Sequence, residues 1–429
     1  MKKVLIISYF FPPSNFAGSY RIASWAKYLH LFGYYPVIIT RCWNPNQSEL
    51  TEFVNDNTFS HEKYDNYEVY RIPYQRILRD RVYSGGSSLT RKLASKVLTI
   101  LELIFQNYSN LAIPYSNLYR FADKLLYNNK DFSALIVSGR PYQLFRFAWL
   151  LHNKHGIKWI ADYRDPWFTN EIYREYNTVL KLINYIDGKS EKKWLKNASF
   201  FTTCSEIWVK SISDFTGKKG FNILNGYDPE DYIVEVEEPK NKNSFVIVYN
   251  GTLYFTQPIN EFTEALKFII DKYKDSINIK IKFPGITIDM IQTERLKKAL
   301  KGYESYFEIT DRLSKSEVIK IQKGADLLLM FSHKDVVGNF SSKIFEYLAC
   351  ERPILLCPSD NDVLEQLIKT THTGYICSTK EETIKLLNDL VLEKLNTGVI
   401  AYNPVTSEVE KYTRKLQTKY LAAVLDKIC

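Results

Sequence analysis

The segment KVLIISYFFPPSNFAGSYRIASWAKYLHLFGYYPVIIT, residues 3–40, decides the fold. It begins with an apolar run over Lys3–Ser8, continues with apolar residues at helical spacing over Ser19–Phe32, and ends with a second apolar run over Pro36–Thr40. Short apolar runs separated by an amphipathic stretch are typical of α/β units with parallel strands. The segment therefore predicts an α/β fold.

The same alternation continues through the rest of the chain. In the first half it predicts four more strands, at Leu135–Ser138, Trp159–Ala161, Phe200–Thr203 and Phe221–Leu224, and two more helices, at Tyr142–His155 and Val179–Leu195. In the second half it predicts strands at Phe245–Tyr249, Ile277–Phe283, Tyr306–Ile309, Asp326–Phe331, Pro353–Leu356 and Gly374–Cys377. The pattern predicts two doubly wound α/β domains with a cleft between facing strand ends. Open sheets of this kind bind ligands at the carboxyl ends of their strands.

The domain limits follow from a polar interruption of this pattern. Residues 227–244 carry two prolines and no helical period, so we interpret them as a linker. They separate an amino-terminal domain at 1–226 from a second domain at 245–404. The remaining segment, 405–429, is predicted to form one long helix over Thr406–Ile428.

Composition excludes several classes of protein. The chain has 429 residues, of which 45% are hydrophobic and 24% charged, so it has enough apolar residues for two or three folded domains and is not disordered. A net charge of +9 is moderate for this length and argues against a dedicated nucleic-acid-binding protein. No apolar run approaches the ~20 residues that cross a bilayer. The six cysteines form no CxxC pair, which favours reduced thiols in a cytoplasmic protein.

One segment of the first domain is unusually basic. Residues 71–130 contain 10 Lys or Arg and 3 acidic residues, and they include the sequence LTRKLASKVLTILELIF at 89–105. Leucine and isoleucine recur there at helical spacing, which predicts a basic amphipathic helix. Such a helix can lie on an anionic membrane surface. Alternatively, its apolar side packs on the first domain and its charges are solvated.

The loop after the first strand, YFFPPSNFAGSYRIA, is a candidate anion site. Gly18 permits close approach of the backbone just before the predicted helix, whose free N–H groups attract anions. Arg21 in the first turn would add a positive charge. The alternative is a structural turn with a solvated Arg21. The loop lacks the GxGxxG pattern, which disfavours a nicotinamide dinucleotide.

The sequence DYRDPW follows the predicted strand at Trp159–Ala161. Asp162, Arg164 and Asp165 crowd the carboxyl end of this strand. Two carboxylates at this spacing suggest acid/base chemistry or a metal site, but they also fit Asp–Arg pairing that braces the loop, which the residues alone favour. Few further Asp, Glu or His residues lie nearby, which disfavours a metal.

Two loops of the second domain are candidate phosphate sites. After its first strand, Gly251 allows a tight turn and Thr252 offers a hydroxyl, although a plain turn remains the alternative. Farther along, in GNFSSKIFEYLACERPIL, Ser341 or Ser342 is a suitable helix N-cap, and Lys343 would complete an anion site with the free N–H groups.

Glu346 lies one turn into that predicted helix. A carboxylate beside a phosphate site is explained if it accepts hydrogen bonds from ribose hydroxyls. The alternative is that Glu346 is a solvated glutamate whose position near the start of the helix is favoured by the helix dipole. The nearby sequence Asp360-Asn361-Asp362 matches a metal-binding DxD by letters, but its place before a helix favours helix capping.

Together these motifs resemble the family 4 glycosyltransferases of the GT-B fold, particularly a bacterial branch that makes surface polysaccharides such as capsule or lipopolysaccharide. The opening segment is followed in the family's order by WIADYRDPW, ILNGYDPEDY, VYNGTLY and SSKIFEYLACERPIL. The resemblance covers nearly the whole chain. It implies two Rossmann-like domains facing a cleft and a carboxyl-terminal helix that returns to the first domain.

The resemblance also implies an activity and residue roles. The family transfers a sugar from a UDP- or GDP-sugar to a hydroxyl with retention, without cofactor or essential metal, here to a glycan or lipid-linked acceptor at the inner membrane face. Glu346 would hold the donor ribose, and the diphosphate would be cradled by Ser341, Ser342, Lys343, Gly251 and Thr252. Gly18 would lie against the donor phosphate and the acceptor. Arg164 and Asp165 would face the transferred sugar as catalytic residues, with Arg21 and Asp162 on the acceptor or phosphate side.

Three features depart from the family pattern. Gly338 stands eight residues before Glu346, where the family often has an acid, and Arg164 stands where many members have histidine. Leu253 and Gln257 occupy a stretch that often holds a basic pair. Gly338 favours the alternative of a catalytically silent scaffold of a polysaccharide complex, and a nucleotide-sugar epimerase of the same fold is a further alternative.

Overall fold

The computed structural model describes two compact units. Its described residues are 1–14, 16–43, 58–75, 77–78, 80, 82, 89–110, 113, 115–170, 178–234 and 241–429. The first unit comprises Met1–Asn225 and Arg414–Cys429, and the second comprises Gly226–Thr413. Of the predicted linker, 227–234 and 241–244 belong to the second unit, and 235–240 lie outside the described residues.

The first unit is built on one eight-stranded sheet. Its strands are β1 Lys2–Ser8, β2 Tyr34–Arg41, β3 Ser60–Lys63, β4 Glu68–Ile72, β5 Phe132–Gly139, β6 Trp159–Tyr163, β7 Phe200–Thr203 and β8 Gly220–Asn222. They lie in the order β3-β4-β2-β1-β5-β6-β7-β8, and β3 pairs antiparallel with β4 while the other neighbours are parallel. The strand order reverses between β1 and β5.

Seven helices of this unit are described. They are α1 Ala17–Tyr28, α2 Leu89–Phe105, α3 Ser116–Asn128, α4 Leu144–His155, α5 Thr178–Leu195, α6 Glu206–Thr216 and, at the end of the chain, α14 Arg414–Leu425. A 3-10 turn at Leu29–Phe32 extends α1 to the end that the sequence predicts. Strand β1 is a continuous apolar run because both of its faces are covered, and Val4–Ile7 are fully buried.

The second unit contains a six-stranded sheet whose neighbouring strands are all parallel. Its strands are β9 Ser244–Val248, β10 Asn278–Pro284, β11 Phe307–Thr310, β12 Leu327–Met330, β13 Ile354–Leu356 and β14 Gly374–Ile376, in the order β11-β10-β9-β12-β13-β14. Its helices are α7 Asn260–Tyr273, α8 Met290–Ala299, α9 Lys315–Lys323, α10 Ser342–Cys350, α11 Val363–Thr371, α12 Lys380–Thr397 and α13 Thr406–Val409. The order reverses between β9 and β12, and ligands bind at such reversals in open sheets.

The prediction of one helix over Thr406–Ile428 is wrong. The segment forms α13, a 3-10 turn at Glu410–Tyr412, and α14. Thr413 is extended between them and pairs with Tyr227 in a parallel bridge, while the Tyr227 N–H donates to the Tyr412 carbonyl. The helix breaks because this backbone is hydrogen-bonded to a neighbouring segment. Beyond the break, Leu421 and Leu425 of α14 are buried in the core of the first unit.

Strands β3 and β4 are absent from the sequence prediction. The sequence of β3, SHEK, has no apolar residue, and only Val69 and Ile72 of β4 are buried. Strand β3 is the edge of the sheet, and charged, half-exposed edge strands of this kind avoid unwanted pairing with other chains. Within the described residues, no helix is long and apolar enough to cross a membrane. All six cysteines are free thiols, as predicted.

Candidate active site

Helix α10 begins at the carboxyl edge of the second sheet, beside the reversal between β9 and β12. Ser341 is its N-cap, as predicted, but the Ser341 side chain makes no capping hydrogen bond. The first turn, which starts at Ser342, contains no acidic residue. The Ile344 N–H donates to the Ser341 carbonyl at 3.2 Å, while the Ser342 and Lys343 N–H groups precede the first helical hydrogen bond and can serve an anion.

Lys343 lies in that first turn and points to the loop after β9. Its Nζ donates to Tyr249 Oη at 2.9 Å and to the Thr252 carbonyl at 2.8 Å, and it lies 4.5 Å from the centre of the Tyr249 ring. Burial of the ammonium lowers the pKa of Lys343 to about 7, although the Glu346 carboxylate opposes this shift. The position of Lys343 thus depends on neutral oxygen atoms, so an anionic ligand would strongly favour its charged form.

Gly251 gives the loop its close approach to Lys343. Its φ is +81°, and a Cβ at this position would lie 3.4 Å from Lys343 Cε. The Gly251 N–H donates to the Pro284 carbonyl at 2.8 Å, which ties the loop to the end of β10. The turn therefore holds the backbone and the lysine side by side.

Glu346 faces the same loop from the next turn of α10. Its Oε2 accepts a hydrogen bond from Asn250 Nδ2 at 3.3 Å, and the Tyr347 hydroxyl accepts one from the Asn250 N–H at 3.1 Å. The structure thus brings together Glu346, Lys343 and the start of α10 with the Gly251–Thr252 loop. Their assignments to ribose and diphosphate remain predictions.

His333 is a neighbour of this site that sequence reasoning missed. It follows β12, with Nδ1 2.7 Å from Thr256 Oγ1 and its ring 5.3 Å from that of Tyr254. Burial, together with the charge of Lys343, lowers the pKa of His333 to about 4, so the imidazole is neutral near pH 7. Its position after a buried strand was the available signal, but a lone histidine carries little information by itself.

The helix-capping interpretation of Asp360 is confirmed. Its carboxylate accepts hydrogen bonds from the N–H groups of Asp362, Leu364 and Glu365. Asp362 accepts one from the Gly338 N–H. Within the described part of the chain, no group of three or more His, Cys, Asp or Glu side chains could hold a metal ion.

In the first unit, Arg21 and Asp162 form a buried ion pair, so the alternative of a solvated Arg21 is wrong. Their side chains are 2% and 0% exposed, and Arg21 Nη2 lies 2.7 Å from Asp162 Oδ1. Asp162 also accepts hydrogen bonds from the hydroxyls of Ser138 and Thr202. Arg21 also donates to the Ile223 carbonyl at 2.7 Å. These contacts support the bracing interpretation of Asp162 and offer little surface to a phosphate or an acceptor.

Arg164 and Gly18 depend on each other. A Cβ on Gly18 would lie 2.2 Å from Arg164 Nη1, so only glycine lets the guanidinium lie over the start of α1. The guanidinium is 5.5 Å from the Phe10 ring. Asp165 lies 3.6 Å from Arg140 Nε, and both side chains are more than a third exposed. Arg140, which directly follows the neighbouring strand β5, was missed because its partner is distant in sequence.

Two acids of α5 hold the turn that contains Arg164 and Asp165. Glu191 accepts hydrogen bonds from the Tyr163 hydroxyl at 2.8 Å and the Phe168 N–H at 3.0 Å, which lie before and after the turn. Burial raises the pKa of Glu191 to about 7. One helical turn earlier, Asp187 accepts hydrogen bonds from Trp167 Nε1 and from Asn107. Burial raises the pKa of Asp187 to about 6.

Comparison with known proteins identifies the fold. No protein-family model and no curated protein sequence matches the chain. Sucrose-phosphate synthase from Thermosynechococcus elongatus is similar with a TM-score of 0.62 and 11% identity, over 100% of this chain and 99% of that chain. HepE from Anabaena in complex with UDP-glucose is similar with a TM-score of 0.60 and 11% identity, over 99% of each chain. The UDP-forming α,α-trehalose-phosphate synthase from Burkholderia vietnamiensis is similar with a TM-score of 0.62 and 10% identity, over 100% of this chain and 99% of that chain.

The chain has the GT-B fold. The likeness extends over the full length of these glycosyltransferases and confirms the predicted fold class. At 10–11% identity it shows the fold alone. One fold can support many activities, so the activity depends on the side chains of the site.

Proposed function

We propose that this protein is a retaining glycosyltransferase that moves a sugar from a UDP- or GDP-sugar to a hydroxyl of a glycan or lipid-linked acceptor. The observation that carries the proposal is the cluster at the sheet reversal of the second unit. There the uncapped start of α10, Lys343, the Gly251 turn and Glu346 lie together. These groups match a nucleoside diphosphate, which offers phosphate oxygens at one end and ribose hydroxyls at the other.

The same groups can assist departure of a diphosphate. When the bond from the sugar to the phosphate breaks, negative charge grows on the phosphate oxygens. Helix N–H groups at the start of α10 and the Lys343 ammonium would stabilise this charge. Glu346 would accept hydrogen bonds from the ribose and so fix the orientation of the donor.

The proposal assigns the acceptor step to the turn after β6. Arg164 and Asp165 would contact the transferred sugar or the acceptor, and the leaving phosphate would itself take the acceptor proton. No metal or cofactor is needed for this step. The active protein would bind peripherally to the inner membrane face and take part in surface polysaccharide synthesis.

The related structures and the site support a choice of donors to test. HepE has been crystallised with UDP and with UDP-glucose, and the trehalose-phosphate synthase is described as UDP-forming. These proteins share the fold with this chain, which makes UDP-sugars the first donors to test. GDP-sugars belong to the same panel because the contacts described above involve phosphate and ribose rather than the base.

The test is nucleotide release from a panel of UDP- and GDP-sugars in the presence of a bacterial lipid extract. We expect the protein to release nucleotide from its donor sugar when the lipid extract is present and not when it is left out. Glu346→Ala should weaken donor binding about tenfold or more without loss of folding, because hydrogen bonds to a charged group contribute about 1.5–3 kcal/mol. Glu381→Ala is the matched control, because Glu381 is an exposed first-turn glutamate of α12.

Other outcomes would replace the proposal. Nucleotide binding without turnover would establish the silent scaffold, and sugar isomerisation without acceptor would establish an epimerase. Unchanged donor affinity in Glu346→Ala would remove the ribose assignment.

A further inference from the structure

Helix α2 turns its apolar side away from the protein. Its described side chains include none that is buried. Five apolar side chains at helical spacing are exposed, namely Leu93, Val97, Ile100, Leu101 and Phe105, at 66%, 50%, 38%, 42% and 54%. Ser95, Thr99 and Glu102 on the opposite side are partly buried, and so are the apolar residues Leu98, Leu103 and Ile104. This orientation is the reverse of that expected for a helix that packs on a core.

Helix α5 lies beside α2 and presents lysines on its outer side. The two helices are in contact, and Asn107, just after α2, donates to Asp187 of α5 at 3.0 Å. The outer side of α5 carries the exposed residues Lys181, Leu182, Tyr185, Lys189 and Lys192. The two acids of α5, Asp187 and Glu191, are hydrogen-bonded on its inner side. An exposed apolar strip therefore lies next to a row of lysines.

We propose that these surfaces of α2 and α5, hereafter the docking face, bind an anionic phospholipid bilayer. The apolar side chains of α2 would enter the boundary between headgroups and acyl chains, while the lysines of α5 would lie among lipid phosphates. A second copy of the chain fits poorly, because a symmetric dimer on this face would bring lysine rows together. The inference deepens the proposed function. It depends on that function only in assuming that the acceptor is linked to a lipid.

The docking face is also connected to the turn of Arg164 and Asp165. Asp187 accepts hydrogen bonds from Asn107 on one side and from Trp167 on the other. The end of α2 and the turn after β6 are thus linked through one carboxylate. An acceptor whose lipid remained in the bilayer would then meet the protein on the side that carries this turn.

The experiment is co-sedimentation of the full chain with vesicles made of equal parts of phosphatidylglycerol and phosphatidylcholine, compared with phosphatidylcholine alone. The wild-type protein should bind the anionic vesicles more tightly, and added salt should weaken binding. Val97→Asp with Leu101→Asp should abolish binding. Lys181→Glu with Lys189→Glu should weaken it by about 25-fold or more, because each cation near the surface contributes about fivefold.

Matched controls lie in the second unit. Leu392→Asp alters another exposed apolar side chain, and Lys298→Glu with Lys385→Glu reverses two other exposed lysines. Both controls should bind vesicles like the wild-type protein. The inference would be overturned if the controls lost as much vesicle binding as the docking-face variants, or if both docking-face variants bound vesicles like the wild-type protein. It would also be overturned if the protein formed a dimer in solution that Val97→Asp separates.

Failure of this inference can be distinguished from failure of the proposed function. UDP binding without vesicles should be the same in wild-type and docking-face variants. If vesicles do not bind but nucleotide-sugar turnover is found, the docking face is wrong and the glycosyltransferase assignment stands. If vesicles bind through this face but no nucleotide-sugar binds, docking stands and the glycosyltransferase assignment is wrong.

Discussion

Donor binding is expected to take up a proton through Lys343. Burial lowers the pKa of this lysine to about 7 in the free protein, so at about pH 8 roughly nine-tenths of it is neutral. A diphosphate beside Nζ favours the ammonium form and raises the pKa of the lysine in the complex. Binding must therefore be accompanied by protonation whenever the solution is more basic than the free-state pKa.

The size of the effect follows from that pKa. Above about pH 7 the apparent affinity should fall up to tenfold for each pH unit, which corresponds to about 1.4 kcal/mol. Between about pH 7 and pH 9 the loss should reach roughly 50-fold, provided that the pKa in the complex stays above this range. Below about pH 6 the lysine is already charged, so this contribution to the pH dependence disappears.

The assay is calorimetric titration with UDP in two buffers of different ionisation enthalpy at about pH 8. The difference between the two heats should report uptake of about 0.9 proton. Lys343→Met should bind UDP more weakly with an affinity that changes little over this range, while Lys298→Met, which alters an exposed lysine of α8, should keep the wild-type slope. Absence of proton uptake by the wild-type protein, or a wild-type slope in Lys343→Met, would refute the reasoning.

Three further changes test the first unit. Gly18→Ala should reduce turnover strongly but stability little, because its Cβ displaces the flexible end of Arg164; a variant with normal turnover would contradict this placement. Arg21→Met should cost about 3–5 kcal/mol in urea unfolding, because it leaves Asp162 charged and buried, and Arg21→Met with Asp162→Leu should recover part of the loss. Glu191 has its pKa raised to about 7, so its contribution to stability is present at low pH and is lost as pH rises from about 4.5 to about 7. Glu191→Gln should therefore be more stable than wild type above that range. If the melting temperatures of Glu191→Gln and wild type changed with pH in the same way, this role of Glu191 would be wrong.

The sequence predicts the central strands well because their signal is local. Strands β1, β5, β9 and β12 are apolar runs bounded by helical patterns, and buried parallel strands require such runs. The edge strand β3 and its neighbour β4 carry charges and half-exposed residues, which are also common in loops. The break at Thr413 is set by pairing with Tyr227, a contact across almost half of the chain that no helical pattern can show.

The same distinction applies to the site residues. Lys343, Glu346 and Gly251 lie in motifs whose residues are close in sequence or follow a strand, so they could be singled out as candidates. Arg21 could not be placed, because its partner Asp162 is 141 positions away and determines whether the guanidinium is buried or solvated. Arg140, His333 and Glu191 are single residues in otherwise ordinary segments, and they gain meaning only from neighbours in space.

The first unit is discontinuous, and this affects how the protein is made. Leu421 and Leu425 of α14 complete a cluster that includes Ile22 and Trp25 of α1. A ribosome must translate the entire second unit before it supplies these side chains. Until then the nascent first unit exposes apolar surface on α1, so chaperones would meet an unfinished amino-terminal half for most of the time that synthesis takes.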